Sequence, residues 1–314
     1  MHVELWMWVA FGGFVVAMLI VDGVAFAARA EPVPFRRAVA WSVAWTALGV
    51  AFAGVLWWWQ GGAPAEEYLA GFLIEKSLSI DNLFVFALVF ATFGVPPAHQ
   101  RRVLYWGIVG AIALRAIFIA AGGALLDAFH ATVYVFGAFL VATGVRMAFK
   151  HDPEVRPERN PALRLLGRVL PLTTRMDGGR LVVPEGGRRA GTPLLAALVL
   201  VAAFDVVFAV DSIPAIFAVT RDTFVVYAAN AFSLLGLGAL YFVLAGMIER
   251  FRYLNVGLAV VLVFVGAKMA LADVVEIPVY LSLAVIAGAL AAAVGASLLR
   301  PAAALPDAAA ARSG

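Results

Sequence analysis

The chain has 314 residues, 64% of them hydrophobic and 14% charged, with a mean hydropathy of +0.96 and a formal charge of +3. Soluble domains run about 45–50% apolar and about 25% charged, so these values exclude an ordinary cytosolic enzyme, a disordered chain and a nucleic-acid binder, and point to a polytopic membrane protein. The absence of cysteine excludes disulfides and thiolate metal sites, and none of the four His sits inside a hydrophobic span, which disfavours Cu and Zn.

A helix needs about 20 apolar residues to cross the hydrocarbon core. The hydropathy pattern predicts nine such spans, at 5–28, 38–59, 68–93, 103–126, 130–149, 193–218, 223–246, 254–272 and 277–299. The first begins with His2 and Glu4 rather than a basic n-region and carries Asp22, so it is expected to be a retained helix and not a cleaved signal. Trp6 and Trp8 open it, and Trp57, Trp58 and Trp59 close the second span, as aromatic anchors at one interface.

Lys and Arg sort by side. Arg29, Arg36, Arg37, Arg101, Arg102, Arg250, Arg252, Arg300 and Arg312 fall on one face, together with nine basic residues between Lys150 and Arg189, while Arg221 is alone on the other. The positive-inside rule then places the N-terminus outside and the C-terminus in the cytoplasm. Segment 150–192 is rich in Arg, Pro and Gly and too polar to build its own core, so it is expected to be a basic cytoplasmic loop lying on the anionic inner leaflet. It divides spans 1–5 (residues 1–149) from spans 6–9 (residues 193–299), and residues 300–314 are expected to be a disordered tail.

Two stretches match each other. FLIEKSLSIDNLFVF at 72–86 aligns with AAFDVVFAVDSIPAI at 202–216, placing Glu75 on Asp205 and Asp81 on Asp211 at an offset of 130. GVRM at 144–147 matches GAKM at 266–269 at an offset of 122. The repeat covers spans 3–5 and 6–8. Three crossings are an odd number, so the copies must be inverted, as in secondary transporters with sites at the repeat interface. The expected fold is therefore an all-α polytopic membrane protein with about nine transmembrane helices and an inverted three-helix repeat.

Five acids lie within spans: Asp22, Glu75, Asp81, Asp205 and Asp211. Each costs about 2.5–3.5 kcal/mol at a helix centre on the insertion scale, a cost hard to retain without a use. The bland reading is that they pair with Lys76, Arg115 or Lys268 and hold helices together. Six residues turn a helix by about 600°, leaving the acids of one pair roughly 120° apart, so a break is needed to aim both at one ion. Pro214, which has no N–H for the Val210 carbonyl, is expected to supply one; the alternative is that the acids of each pair line successive positions along a path. Ser77, Ser79 and Ser212 add hydroxyls. Asn82 and Asn230 are either neutral ligands or helix–helix hydrogen bonds.

An all-oxygen donor set suits Mg, Ca and Mn, and Mg dehydrates reluctantly, which favours Mn or Ca. Clustered negative charge calls for a divalent cation or protons, hence proton-for-metal exchange. No P-loop, HExxH, nucleophile elbow or Cys/His pair is present, so no enzyme activity and no cofactor are expected. Lys76 is expected to face away from the metal and either contact another helix or snorkel. Arg115, whose guanidinium does not readily give up its proton, should have a carboxylate or several carbonyls around it.

EKSLSIDN at 75–82, FAVDSIPAIFAVT at 208–220, QRRVLYWGIVGAIALRAIFI at 100–119 and GLAVVLVFVGAKM at 257–269 resemble segments of the TerC family of integral membrane proteins, over about 68–283. The resemblance implies a bacterial inner-membrane protein related to manganese exporters and named for tellurium resistance. It maps metal-site residues onto Glu75, Asp81, Asp205 and Asp211, with Asn82 and Ser212 beside them. Two positions depart from the family pattern: Ala202 stands where a Glu is usual, and Gly238 where an Arg is usual. The expected partners are a divalent metal ion, protons and the lipid bilayer, with no nucleic acid. The alternatives are export of another cation such as Ca²⁺, or a tellurite- or stress-resistance scaffold whose basic loop docks stress-response proteins.

Overall fold

The computed structural model describes residues 3–24, 34–129, 131–149, 160–185, 187–244, 253–271, 274 and 277–299. Its long helices are α1 (Leu5–Asp22), α2 (Phe35–Gln60), α3 (Gly62–Thr92), α4 (Pro97–Ala128), α5 (Thr132–Phe149), α7 (Pro193–Phe217), α10 (Leu254–Ala270) and α11 (Val279–Leu299). Two shorter helices, α8 (Thr223–Leu234) and α9 (Leu237–Leu244), follow α7. Pro at the first turn opens α4 and α7, where its missing N–H costs nothing. The Asp222 carboxylate caps α8 by accepting from the Phe224 and Val225 N–H groups at 2.9 and 3.2 Å.

Five helices are long and apolar enough to cross a membrane, and six if the bent pair α8–α9 is one span: α1, α2, α4, α7, α8–α9 and α11. Helices also stand where the other three spans are expected. Described portions of α5 and α10 are apolar but shorter, and α3 carries Glu66, Glu67, Glu75, Lys76 and Asp81 along its length. The chain is thus a mostly helical membrane protein with five to six candidate spans among the described residues.

Two expectations are corrected. The seventh span is broken: α8 and α9 diverge by 44° across Leu235 and Gly236. Pro214 does not break α7, which runs on to Phe217, where the Ala218 N–H donates to the Pro214 carbonyl at 3.0 Å. A proline one turn from a helix end removes one bond that neighbouring turns can spare. Within the basic loop lie α6 (Pro161–Val169) and an antiparallel hairpin, β1 (Val182–Glu185) with β2 (Arg188–Gly191), paired in the register Val183 to Ala190. Residues 150–159 of that loop and the whole tail 300–314 lie outside the described residues.

The core forms two apolar clusters. One gathers Phe11, Trp45, Tyr68, Phe72, Phe90 and Phe232. The other joins Ile74, Ile213, Ile216, Val226, Leu258 and Leu262. Helices approach most closely at small residues. A Cβ on Gly144 of α5 would lie 2.9 Å from the Ala259 carbonyl and 2.8 Å from Val263 Cγ2 of α10. One on Gly266 of α10 would lie 2.7 Å from the Gly137 carbonyl and 2.8 Å from the Val141 nitrogen of α5. Gly71 of α3 sits against Ile216 of α7 and Ala229 of α8, and Gly107 of α4 against Val201 of α7. These contacts draw α3, α4, α7 and α8 together around one buried point.

Candidate functional site: a buried charge cluster between α3, α4, α7 and α8

That point is Arg115, at the middle of α4 and 0% exposed. Its guanidinium forks onto Asp205 of α7, with Nη2 to Oδ1 at 3.0 Å and Nε to Oδ2 at 3.4 Å. Its Nη1 donates to Glu75 of α3, in close contact, and lies 3.2 Å from Ser212 Oγ and 3.3 Å from Asn230 Oδ1 of α8. A planar, permanently charged five-donor group matches such a convergence. One residue thus binds side chains from three other helices.

Glu75 and Asp205 are 0% and 3% exposed, and Asn82, Ser212 and Asn230 are buried with them. Asn82 lies seven residues after Glu75, and Ser212 seven after Asp205, two turns along the same helix face. Two carboxylates face one guanidinium, leaving a formal excess of one negative charge. Glu75 Oε2, Ser79 Oγ and Asn230 Nδ2 are buried without a hydrogen-bond partner. A buried polar atom left unpaired costs about 1–3 kcal/mol, so Glu75 Oε2 marks a place where a cation, a proton or a water would be favoured.

Glu75 and Asp205 are therefore brought together, through Arg115. The side chains of Asp81 and Asp211 lie outside the described residues, although both positions are helical. Ser77 is engaged with its own helix, donating to the Leu73 carbonyl at 2.6 Å. Among the described residues, no three of His, Asp and Glu gather as a metal cage. Arg115 has the carboxylate partners expected of it. Lys76 reaches another helix, its Nζ donating to the Ser233 carbonyl of α8 at 3.1 Å. Lys268 of α10 donates to Ser282 Oγ of α11 at 2.9 Å. Asp22 accepts one bond, from Trp45 Nε1 at 3.2 Å, away from the cluster. Ala202 and Gly238 lie on two helices that both touch α4: Val201, beside Ala202, meets Gly107, and Gly238 meets Ile108.

Sequence reasoning did not find the break at Leu235–Gly236. Its signal is LGLG at 235–238, two glycines inside an apolar run, which a helix tolerates at modest cost. Gly236 has φ +76, and a Cβ there would fall 2.4–2.5 Å from Trp45 ring and Cβ atoms. Only glycine supplies both the left-handed backbone and the room.

Apolar helices packed around a buried, partly compensated charge cluster define an integral membrane protein. Within that class, the chain belongs to the integral membrane protein TerC family, whose model matches residues 60–304. It is 49% identical to an uncharacterized membrane protein, STKORF319, of Myxococcus xanthus over 94% of this chain and 92% of that one. It is 45% identical to a putative membrane-bound redox modulator, Alx, of Escherichia coli K12 over 90% and 91%. An uncharacterized membrane protein of Rickettsia bellii is 35% identical over 93% and 97%. No solved structure matches the chain.

Proposed function

We propose that the chain is a secondary transporter of a bacterial inner membrane that exports a divalent cation, Mn²⁺, in exchange for protons, with its N-terminus outside and its C-terminus in the cytoplasm. The observation that carries this reading is the convergence of Glu75 and Asp205, from two similar segments, at the buried centre of the helices, with Glu75 Oε2 left unpartnered. A purely structural ion pair has no use for a second carboxylate and an empty acceptor. In the metal-free state Arg115 balances one of the two negative charges. Asp81 and Asp211, six residues further on the same helices, which run unbroken past them, bring charge at a successive position along the path of an incoming ion, with Asn82 and Ser212 as neutral oxygens. Those donors suit Mn²⁺ and exclude a thiolate-seeking metal.

The inverted repeat is part of this proposal. Under the offset of 122, the contact of Gly144 with Ala259 and Val263 becomes that of Gly266 with Gly137 and Val141. Under the offsets of 130 and 122, the contact of Gly71 with Ala229 becomes that of Val201 with Gly107. Contacts that exchange in this way are what a two-fold relation requires, and rocking of one half against the other then opens the centre to each side. The redox role in the relative's name has no thiol to act through in this chain, which lacks cysteine. Metal content is a route by which a transporter would alter redox balance.

The test is Mn²⁺ sensitivity of an exporter-deficient host, with protein level checked by blot and proton-coupled Mn²⁺ flux measured in proteoliposomes. Asp81→Asn and Asp211→Asn should insert at wild-type levels, because Asn is cheaper than Asp in a membrane, and both should lose efflux. Normal efflux from both variants overturns the metal reading in favour of a scaffold.

A further inference from the structure

We propose that the C-terminal end of α8 is a binding site for a compact monovalent cation, and that the protein fills it with the ammonium of Lys76. The inference does not rest on the metal reading, since it concerns a backbone site on the other side of α3's Glu75–Lys76 step.

The site begins with the break. The Leu235 N–H closes α8 on the Ala231 carbonyl at 3.0 Å, and the ladder resumes when the Leu240 N–H reaches the Gly236 carbonyl at 3.0 Å. Carbonyls just before the turn are thereby released from i→i−4 bonding. In an apolar bundle a released carbonyl must find a partner. The partial negative charge of α8's dipole also gathers at this end. The turn is a fixed feature: Gly236 holds a left-handed backbone under the Trp45 indole, and Asp222 caps the opposite end of α8. A half-helix ending on unwound carbonyls is the device by which transporters hold small cations.

Lys76 Nζ meets one of those carbonyls, Ser233 O, at 3.1 Å. Its immediate neighbour Glu75 is a carboxylate, yet that carboxylate is engaged by Arg115. Among the described groups the ammonium meets backbone oxygen, and the Glu75 Oε2 that Arg115 leaves unpartnered is not its acceptor. Ser79 Oγ, one turn along α3 from Lys76 and 0% exposed, has no partner, so a further oxygen stands unused on that stretch of the helix. The Ser233 hydroxyl is already committed, donating to the Asn230 carbonyl at 2.8 Å, which stiffens the last turn. Phe232, Leu234, Leu235 and Leu237 are all buried around it and keep the carbonyl end dry. A dry helix end with a fixed turn and a positive charge seated on its carbonyl is a cation site with a tethered occupant.

The consequence is that Lys76→Met vacates the site for a free cation. Purified wild type and Lys76→Met are melted in detergent at constant ionic strength, first with N-methylglucamine as the only cation. Ammonium, methylammonium, K⁺ or Na⁺ is then titrated in. The expected result is a lowered melting temperature for Lys76→Met that at least one compact cation raises saturably by ~3 °C or more at high concentration, with no such rise in wild type. Lys268→Met is the control, because its ammonium meets a serine hydroxyl rather than a helix end, and it should show no cation dependence. Equal melting of Lys76→Met in every cation overturns the proposal, as does an equal rise in wild type. If Lys76→Met aggregates on purification in N-methylglucamine, it is purified in ammonium instead. Recovery there supports the site, and aggregation in every cation overturns it. Loss of Mn²⁺ efflux plays no part in the readout, so failure here and failure of the transport reading are separate results.

Discussion

The helices α4 and α8–α9 meet at the centre of the protein, α4 packed on α7 and α8 packed on α3, and they handle the same apolar setting in opposite ways. α4 runs unbroken for 32 residues and delivers polarity through a side chain, the Arg115 guanidinium. α8–α9 delivers it through the backbone: the helix stops at Leu234, turns at Gly236, and offers a carbonyl to the Lys76 ammonium brought by α3. The proposed repeat sets these two helices at equivalent places. The break falls within a few residues of the position that Arg115 holds in α4, so one half carries its own cation and the other borrows one. The lesson is that charge in a membrane bundle can be matched by side chains or by interrupted backbone, and the two respond differently to mutation.

Removing the side-chain solution should have the largest effect. Arg115→Met leaves Glu75 and Asp205 buried and facing each other, and breaking a buried ion pair from one side costs about 3–5 kcal/mol. Melting followed by fluorescence-detected size exclusion should show a large loss of folded protein, and adding Glu75→Gln should recover part of it by removing an uncompensated charge. Wild-type stability of Arg115→Met alone would show that α4's charge is dispensable.

Breaking the backbone solution should cost less. Gly236→Ala must adopt a left-handed backbone and push against Trp45, and strain of this kind costs about 1–3 kcal/mol. The matching control on α4 is Gly110→Ala, where a Cβ meets nothing within 4 Å and the effect should stay within about 0.5 kcal/mol. A Gly236→Ala melting curve that overlays that of Gly110→Ala would refute the fixed break.

The two-fold relation is sharpened by Gly144→Ala and Gly266→Ala. Each Cβ meets partner backbone at under 3 Å, so each should cost about 1–3 kcal/mol as an overpacked contact. The two losses should be similar, because the contacts exchange under the repeat. A large loss from one and none from the other would argue that the halves are not equivalent there. The smallest effect is expected from Asp22→Asn, which keeps an acceptor for Trp45 Nε1. A change under about 1 kcal/mol with efflux retained would separate this acid from the central ones, and loss of efflux would place it in the pathway.

The sequence by itself determined the membrane setting, the helix positions, the family and the set of acids that stand within the apolar helices. Each of these is carried by composition, by runs of apolar residues or by a contiguous motif. It also determined that Arg115 must find negative partners, since a guanidinium cannot neutralise itself. Which partners it finds was decided only in three dimensions: Glu75 and Asp205 lie 40 and 90 residues away from it. Their meeting depends on how α3, α4 and α7 are rotated where Gly71 and Gly107 let them approach. The same is true of the interruptions. Pro214 is the residue that local rules single out as a breaker, yet α7 continues through it because the lost bond lies in its last turn. Gly236 looks tolerable inside a helix, yet the chain breaks there, where the Trp45 indole from α2 packs over a backbone that only glycine can adopt. Propensity acts within one segment, whereas a helix break is paid for by contacts from its neighbours, and those contacts exist only once the bundle has formed.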